Sequence, residues 1–218
     1  MLENAVKAVI KGIMVNSFTI YAKRSFKGRF REEVNLDVYI RSNKGGEEAF
    51  LLYVKVFYGR KPYFRPWVEF FEINSVIRLN EWAFEYFDSI FEDTLLSNFS
   101  KAIGPGGFIY VEYYNDEETK RQLDADLPIV VSRLGYKLFR LGFTGFKNWY
   151  FPEGFMEGGV KLQGEMAISD EVRDRQLKDI YNELKTFLNR MKDLEVNKSY
   201  IAKAIERAKI ILDQMNTS

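Results

Sequence analysis

Residues 101–120 read KAIGPGGFIYVEYYNDEETK. An amphipathic helical pattern enters this stretch and is stopped by Gly104-Pro105-Gly106-Gly107. The apolar and aromatic run that follows predicts a buried strand over residues 108–114. Asn115 and Glu118 have the spacing of a capping box, which predicts the start of a second helix. Helix, turn, strand and helix in this order form the core of an α/β unit, in which helices pack against a sheet.

Three further strands are predicted upstream of this stretch. Residues 34–40 alternate between apolar and polar side chains, which predicts a strand with one buried face. Residues 50–58 are almost continuously apolar, as is typical of a strand in a central position. Two prolines place the start of the third strand, residues 63–73, at an edge or at a bulge. From Asn80 the pattern becomes helical and stays so up to the glycine turn.

Downstream of the stretch we expect a helix and a pair of strands. The helix covers residues 116–134, and Pro128 should kink or split it. The two strands are predicted at residues 146–151 and 159–167, with a turn rich in glycine and glutamate between them.

The composition changes after Ile168. Residues 169–216 contain neither glycine nor proline, and apolar side chains recur there every three or four positions, which predicts a helical hairpin. We therefore expect an α+β domain over residues 1–168 and a helical hairpin over residues 169–218. The apolar stripes of the hairpin suit packing on the domain of the same chain, and they equally suit the seam of a homodimer.

Histidine and cysteine are both missing from the 218 residues. Histidine-dependent triads, cysteine nucleophiles and metal sites built from thiolates or imidazoles are therefore excluded. The formal net charge of +1 argues against binding to nucleic acid through bulk charge. No apolar run approaches the roughly 18 residues of a membrane helix, and the first residues lack the pattern of a signal peptide. We expect a cytoplasmic protein without a membrane span.

Any catalysis must then use carboxylates, tyrosines, lysines or backbone groups. The candidates on the predicted strands are Glu69 and Glu72 on the third strand, and Glu112 and Tyr113 on the buried one. A carboxylate on a buried strand loses hydration, which makes it a better general base. The alternative is a strand face on which these glutamates meet solvent or an arginine.

A second concentration of polar and aromatic residues lies at the end of the chain's predicted sheet. Trp149 and Tyr150 precede a glycine-rich turn that contains Glu153 and Glu157. Such a group could surround a small amine, or a divalent cation held through oxygen atoms. The spacing matches no recognised metal motif, so we predict substrate-binding residues and no metal. A hairpin loop with solvated glutamates is the alternative.

The order of the predicted elements resembles the acetyltransferase-like (GNAT) fold. That fold also has antiparallel strands, a helix, a strand, a helix that here ends at residues 134–136 or 141–143, and a closing strand pair. The segments GPGGFIYVEYYNDEET and NWYFPEGFMEGGVKLQGE, residues 104–119 and 148–165, are similar to those of an uncharacterised, mainly archaeal family associated with this fold. The resemblance covers residues 30–168, and it implies a GNAT-like, mixed and mostly antiparallel sheet flanked by helices.

The resemblance also implies a function, which is transfer of an acyl group from acetyl-CoA or another acyl-CoA to an acceptor such as an amine. Glu69 or Glu72 would be the base, and a tyrosine would donate a proton. The family holds the cofactor pyrophosphate at a glycine loop after its fourth strand. The corresponding residues 74–80 offer Arg78 and Asn80 as cofactor-binding residues but contain no glycine, so the close approach of backbone to phosphate is not encoded.

Two other functions stay open. A ligand-binding or assembly module could keep the fold without the cofactor, as the missing glycines would allow. The Pro-Gly-Gly turn at residues 105–107 also resembles the turn before a late strand in class I methyltransferases. Their glycine-rich first loop for the methyl donor, however, has no counterpart in this sequence.

Overall fold

In a computed structural model of the chain, the described residues contain eight strands and four helices. The described residues are 14–15, 18–27, 33–42, 48–58, 66–73, 96–97, 100–101, 103, 105–113, 117–150, 160–192 and 198–217.

The sheet in the described residues has eight strands. They are β1 (Met14–Val15), β2 (Phe18–Lys27), β3 (Glu33–Ser42), β4 (Glu48–Tyr58), β5 (Pro66–Ile73), β6 (Phe108–Tyr113), β7 (Lys147–Tyr150) and β8 (Val160–Glu165). Their order across the sheet is β1-β2-β3-β4-β5-β6-β8-β7. Strands β5 and β6 run parallel, and every other described pairing is antiparallel.

The structure confirms the strands that the patterns predicted. The alternating segment 34–40 lies within β3, and the apolar segment 50–58 lies within β4, between β3 and β5 in the sheet. The third predicted strand begins at Pro66, since a proline without an N–H group suits the first residue of a strand. The helix predicted from Asn80 lies mostly outside the described residues, but Leu96, Ser97 and Ser100 near its end are helical.

Pro128 splits the helix that was predicted over residues 116–134. Helix α1 (Glu117–Asp124) ends before it, a 3-10 turn (Ile129–Val131) follows it, and helix α2 (Arg133–Arg140) starts after Ser132. Ser132 caps α2, because its hydroxyl accepts a hydrogen bond from the Gly135 N–H at 3.0 Å. The split turns one predicted helix into a compact corner of two helices.

Helix α2 ends in a Schellman motif. The Phe143 N–H donates to the Leu138 carbonyl and the Gly142 N–H donates to the Phe139 carbonyl, at 3.1 and 2.9 Å. Gly142 has φ of 95°, a left-handed conformation that glycine adopts without a steric penalty. Leu138 and Phe143 are fully buried on either side of this turn, so the motif directs the chain from α2 towards β7.

The last two helices form the predicted hairpin. Helix α3 (Asp170–Met191) and helix α4 (Ser199–Thr217) pack on each other, and α4 also packs on α1 and on the 3-10 turn. Their apolar stripe is buried in one cluster with the corner around Pro128, and the cluster consists of Leu127, Val130, Val131, Ile180, Leu184, Phe187, Ala204, Ala208, Ile211 and Leu212. The α+β class is confirmed, and the stripe is covered within the chain. A homodimer through these helices stays a prediction.

Candidate functional site

The register of the sheet brings three of the predicted site residues into one row. Glu72 of β5 is paired with Glu112 of β6, and Glu112 is paired with Lys161 of β8. Lys161 is in turn paired with Trp149 of β7. The row therefore places Glu72, Glu112, Lys161 and Trp149 at adjacent backbone positions of four neighbouring strands, in that order.

The other predicted site residues are placed around this row. Tyr113 and Tyr150 lie in the next row, on either side of Val160. Glu69 lies at a bulge, because Lys55 and Val56 of β4 pair with Phe70 and Val68 and leave Glu69 out of the register. Glu69 is three positions before Glu72 on β5 and therefore belongs to a different row of the sheet.

Four predicted residues lie outside the part of the chain that the structure describes. They are Arg78 and Asn80, predicted to bind the cofactor, and Glu153 and Glu157, predicted to bind the substrate. For Glu69, Glu72, Glu112, Tyr113, Trp149 and Tyr150 the placement above is that of the backbone. No group of three or more acidic side chains among the described residues is arranged to hold a metal ion.

A polar network that the sequence did not predict connects α1 with α4. The Glu118 carboxylate accepts hydrogen bonds from Lys203 Nζ at 2.9 Å and from Arg207 Nη1 at 2.8 Å. Arg207 Nη1 also donates to the Val131 carbonyl at 3.2 Å. Glu118 and Arg207 are only 19% and 16% exposed, so this ion pair is shielded from water and fixes the Arg207 guanidinium at the corner of the fold.

Gln122 joins the same network from the inside. Its side chain is fully buried, and Nε2 donates to Glu118 Oε1 at 3.2 Å and to the Tyr200 carbonyl at 3.0 Å. Its oxygen accepts from the Arg133 N–H at 2.9 Å. Both ends of the amide are therefore satisfied, as a buried amide requires, and the first residue of α2 is tied to α1 and α4.

The environment of Glu118 shifts its titration. Partial burial by itself raises the pKa of the carboxyl group, but the hydrogen bonds and positive charges of Lys203 and Arg207 outweigh it, so the pKa lies below its ordinary value. A lowered pKa in the folded state means that ionised Glu118 stabilises the fold above the pKa of the unfolded chain. This contribution is lost as the pH falls through the folded pKa.

Replacing Glu118 with glutamine should therefore destabilise the protein in a pH-dependent way. At pH 7 we expect a loss of about 1–2 kcal/mol in the free energy of unfolding, because the ion pair is mostly shielded. The loss should shrink once the pH drops below about 4.5, where the wild type also loses the charge. Urea unfolding at a series of pH values measures both.

The matched control for this experiment is the neighbouring residue. Glu117 pairs with Arg121 at 3.9 Å, and both side chains are about 65% exposed, so Glu117→Gln should change stability by less than about 0.5 kcal/mol at every pH. Equal losses of unfolding free energy in the two variants at pH 7 would show that the shielded Glu118 ion pair stabilises the fold no more than the exposed Glu117 pair.

A cleft of about 420 Å³ opens beside this network. We call it the cationic cleft, and it is lined by Leu96, Ser97, Arg133, Tyr136, Lys137, Arg140, Leu141 and Arg207. Arg133, Lys137 and Arg140 follow one another at spacings of four and three residues on α2, which places them on one face of the helix. The Arg207 guanidinium lies 5.8 Å from the centre of the Tyr136 ring, a distance at which a cation and an aromatic face attract each other.

Sequence reasoning missed the cationic cleft. The three cations of α2 were visible as a helical stripe in RLGYKLFR, residues 133–140. Arg207, however, is 76 positions beyond Val131, whose carbonyl it contacts. No local pattern connects residues at that separation.

Comparison with known proteins places the chain in a family. No helix in the described parts of the chain is long and apolar enough to cross a membrane. A search of curated proteins found no match. A crystal structure of a protein of unknown function from Aquifex aeolicus VF5 is similar, with a TM-score of 0.73 and 32% sequence identity over 97% of this chain and 99% of that chain. The family model described as a protein of unknown function (DUF1122) matches residues 16–191. This chain therefore belongs to the DUF1122 family.

Proposed function

We propose that this protein transfers an acyl group from acetyl-CoA, or another acyl-CoA, to a small acceptor such as an amine on a GNAT-like sheet. The observation that carries the proposal is the strand order, in which β5 and β6 are adjacent and parallel within a sheet that is otherwise antiparallel. The chain has antiparallel strands up to β5, then β6, two helices and the closing pair β7–β8. This order agrees with that of the acetyltransferase-like fold.

The row across the sheet supplies the chemistry of this proposal. Glu72 and Glu112 occupy directly paired positions of β5 and β6, and Lys161 of β8 is paired with Glu112 on its other side. Of the two glutamates, Glu72 is the proposed base.

The reaction would use these residues as follows. Glu72 takes a proton from the amine while the amine nitrogen forms a bond to the thioester carbonyl carbon. The carbon–sulfur bond then breaks, and the sulfur leaves with a proton from a tyrosine on the same face of the sheet as Glu72. Tyr113 occupies the position after Glu112 on β6, which belongs to the opposite face. Trp149 and Tyr150 would contact the acceptor, and Glu153 and Glu157 would attract its positive charge. Arg78 and Asn80, which follow β5, would bind the pyrophosphate.

The first test is binding and turnover of acetyl-CoA. A ligand that binds the folded state alone adds about 2.7 kcal/mol of stability at one hundred times its Kd, so a thermal melt with millimolar acetyl-CoA should show a clear upward shift. Turnover with a panel of amines can be followed by reaction of the released thiol. The chain has no cysteine, so the protein contributes no background to that assay.

Glu72→Gln should lower turnover by about a hundredfold or more, as loss of a general base does, while the acetyl-CoA shift persists. Glu117→Gln, at an exposed position of α1, is the control. If Glu69→Gln abolishes turnover and Glu72→Gln does not, the base is the residue at the bulge. The chain also has no histidine, so a rate limb between about pH 5.5 and 7 that disappears in one of these variants identifies the carboxylate.

A cofactor-free ligand-binding or assembly module on the same fold is the second candidate. The specific observation in its favour is the lack of glycine in residues 74–80, where an acyl-CoA enzyme needs exposed backbone N–H groups. If acetyl-CoA caused no melting shift and no thiol release, this second candidate would replace the first. S-adenosylmethionine tested in parallel addresses a methyltransferase, whose βαβ units would give mainly parallel pairings, unlike the described sheet.

A further inference from the structure

We propose that Gln163 of β8 determines the specificity of the site on this sheet by binding a primary carboxamide group of the acceptor. For the amine at the reacting end of the same acceptor, this assignment rests on the proposed acyl transfer. Glutamine side chains are mostly exposed in proteins. The burial of Gln163 is therefore the starting observation.

Gln163 is buried without a hydrogen-bond partner in the described part of the chain. The buried polar side chains among the described residues are Ser100, Thr119, Gln122, Ser132, Thr144 and Gln163. The first five each take part in a side-chain hydrogen bond. Gln163 is 5% exposed, and no described group forms a hydrogen bond with its amide. Burial of an unpaired amide costs free energy, and a bound ligand that pairs with it would remove this cost.

Gln163 lies on the face of the sheet that carries the row of Glu72. It is two positions after Lys161 on β8, and residues two positions apart on a strand belong to the same face. The pairings of β8 with β6 and β7 are regular over these residues, so no bulge interrupts the alternation. The opposite face packs towards α2, since a Cβ atom on Gly164 would lie 2.9 Å from Cβ of Phe143.

The register also places Gln163 next to the row. Glu112 is paired with Lys161, two positions before Gln163, so Glu112 and Gln163 are diagonal neighbours on adjacent strands. Such neighbours are about 7–8 Å apart, a distance that long side chains can bridge. Glu72 is one strand further along the row. A small molecule can therefore have one end at the row and the other at Gln163.

The amide of Gln163 indicates the chemical class of the group that it binds. Its oxygen accepts hydrogen bonds and its NH2 group donates them. A ligand carboxylate can only accept and an ammonium group can only donate, so either would leave one end of a buried amide unpaired. A primary carboxamide presents an oxygen and an N–H along one planar edge and can pair with both ends of the Gln163 amide. The acceptor is then a small amine that carries a primary carboxamide.

The first experiment tests whether Gln163 lacks a partner within the fold. Gln163→Met keeps a side chain of similar length and removes the unpaired amide, so the Tm without ligand should be unchanged or higher by up to about 4 °C. Gln122→Met is the matched control. Both ends of the Gln122 amide have partners, so its replacement should lower the Tm by about 4 °C or more. A similar fall of the Tm in Gln163→Met would overturn the proposal.

The second experiment tests the class of ligand by calorimetry. The probes are glycinamide, β-alaninamide and 4-aminobutanamide, which differ in the length of chain between amine and carboxamide. Each is compared with the methyl ester of the same amino acid, which lacks the N–H donors of the amide. At least one amide should bind the wild type at least about tenfold more tightly than its ester. In Gln163→Met this preference should fall below about threefold.

Two results of the calorimetry would overturn the proposal. One is that none of the three amides binds the wild type more tightly than its ester. The other is that the preference for the amide persists in Gln163→Met, because the carboxamide would then bind elsewhere. The melt of Gln163→Met without ligand shows that the variant is folded, so a lost preference is not a loss of structure.

The outcome for acetyl-CoA is separate from the outcome for Gln163. A preference for the amide without thiol release or a melting shift would end the acyl-transfer proposal and keep Gln163 as a ligand-binding residue of a cofactor-free module. Turnover of amines with no preference for the carboxamide would do the reverse. Acyl-CoA itself contains amide groups, so the acetyl-CoA melting shift is also compared in the wild type and in Gln163→Met. We expect equal shifts, and a shift that is lost in the variant would assign Gln163 to the cofactor and overturn the proposal.

Discussion

Replacing Ile211 with alanine should lower the free energy of unfolding by about 3 kcal/mol. Ile211 on α4 has no exposed surface and belongs to the cluster that joins the hairpin to the corner around Pro128. Truncating a fully buried isoleucine loses its transfer free energy and leaves a cavity, which together amount to about 2–5 kcal/mol. Urea unfolding followed by circular dichroism measures the change.

The adjacent residue provides a matched control. Ile210 is 37% exposed on the same helix, and alanine has a better helix propensity than isoleucine. We therefore expect Ile210→Ala to change stability by less than about 1 kcal/mol. If the two variants unfold alike, the face of α4 that carries Ile211 is not packed in the core. If the Ile211→Ala loss depends on protein concentration, a second chain contributes to that packing, as the homodimer prediction requires.

Gly135→Ala should be destabilising by about 2–3 kcal/mol, although the same change usually stabilises a helix. In the interior of a helix alanine is favoured over glycine by about 1 kcal/mol. At Gly135, however, a Cβ atom would lie 2.0 Å from the Ile129 carbonyl oxygen and 2.8 Å from the Ser132 hydroxyl oxygen. The backbone of the 3-10 turn would have to move, and forced overpacking of this kind costs about 1–3 kcal/mol or more.

Gly145→Ala is the comparison for this prediction. A Cβ atom there would meet Glu165 Oε2 and Gln176 Nε2 at 2.7 and 2.8 Å, which are the ends of flexible side chains. These ends can rotate away, so the loss should stay below about 1 kcal/mol. A neutral or stabilising Gly135→Ala would show that α2 does not approach the 3-10 turn as closely as the structure indicates. Thermal melts of the two variants and the wild type measure these changes in stability.

The predictions from sequence were most reliable where the signal is local. The alternation in residues 34–40 predicted β3, and Pro128 predicted the break between α1 and α2. The stripe of apolar residues after Ile168 predicted α3 and α4. In each case the residues that produce the pattern are close in sequence, because the periodicity of a helix or a strand depends on neighbouring positions.

Glu118 shows where local reasoning ended. Its spacing from Asn115 predicted a capping box, but Asn115 lies outside the described residues. The capping box therefore stays a prediction. In the described residues the Glu118 carboxylate accepts hydrogen bonds from residues 85 and 89 positions further along the chain. A glutamate in the first turn of a helix suits both roles, and the position of α4 decides which partners are within reach.

Local patterns in the sequence predicted the α+β class, six of the eight described strands and the split helix, and they excluded chemistry that needs histidine or cysteine. The tertiary structure alone decided that β8 lies between β6 and β7, that Glu72, Glu112 and Lys161 share a row, and that Arg207 joins the cations of α2. Secondary structure follows from the periodicity of adjacent side chains. A row or a cleft instead depends on which distant segments bury their apolar faces against each other. The pattern within a short stretch of the chain does not predict that packing.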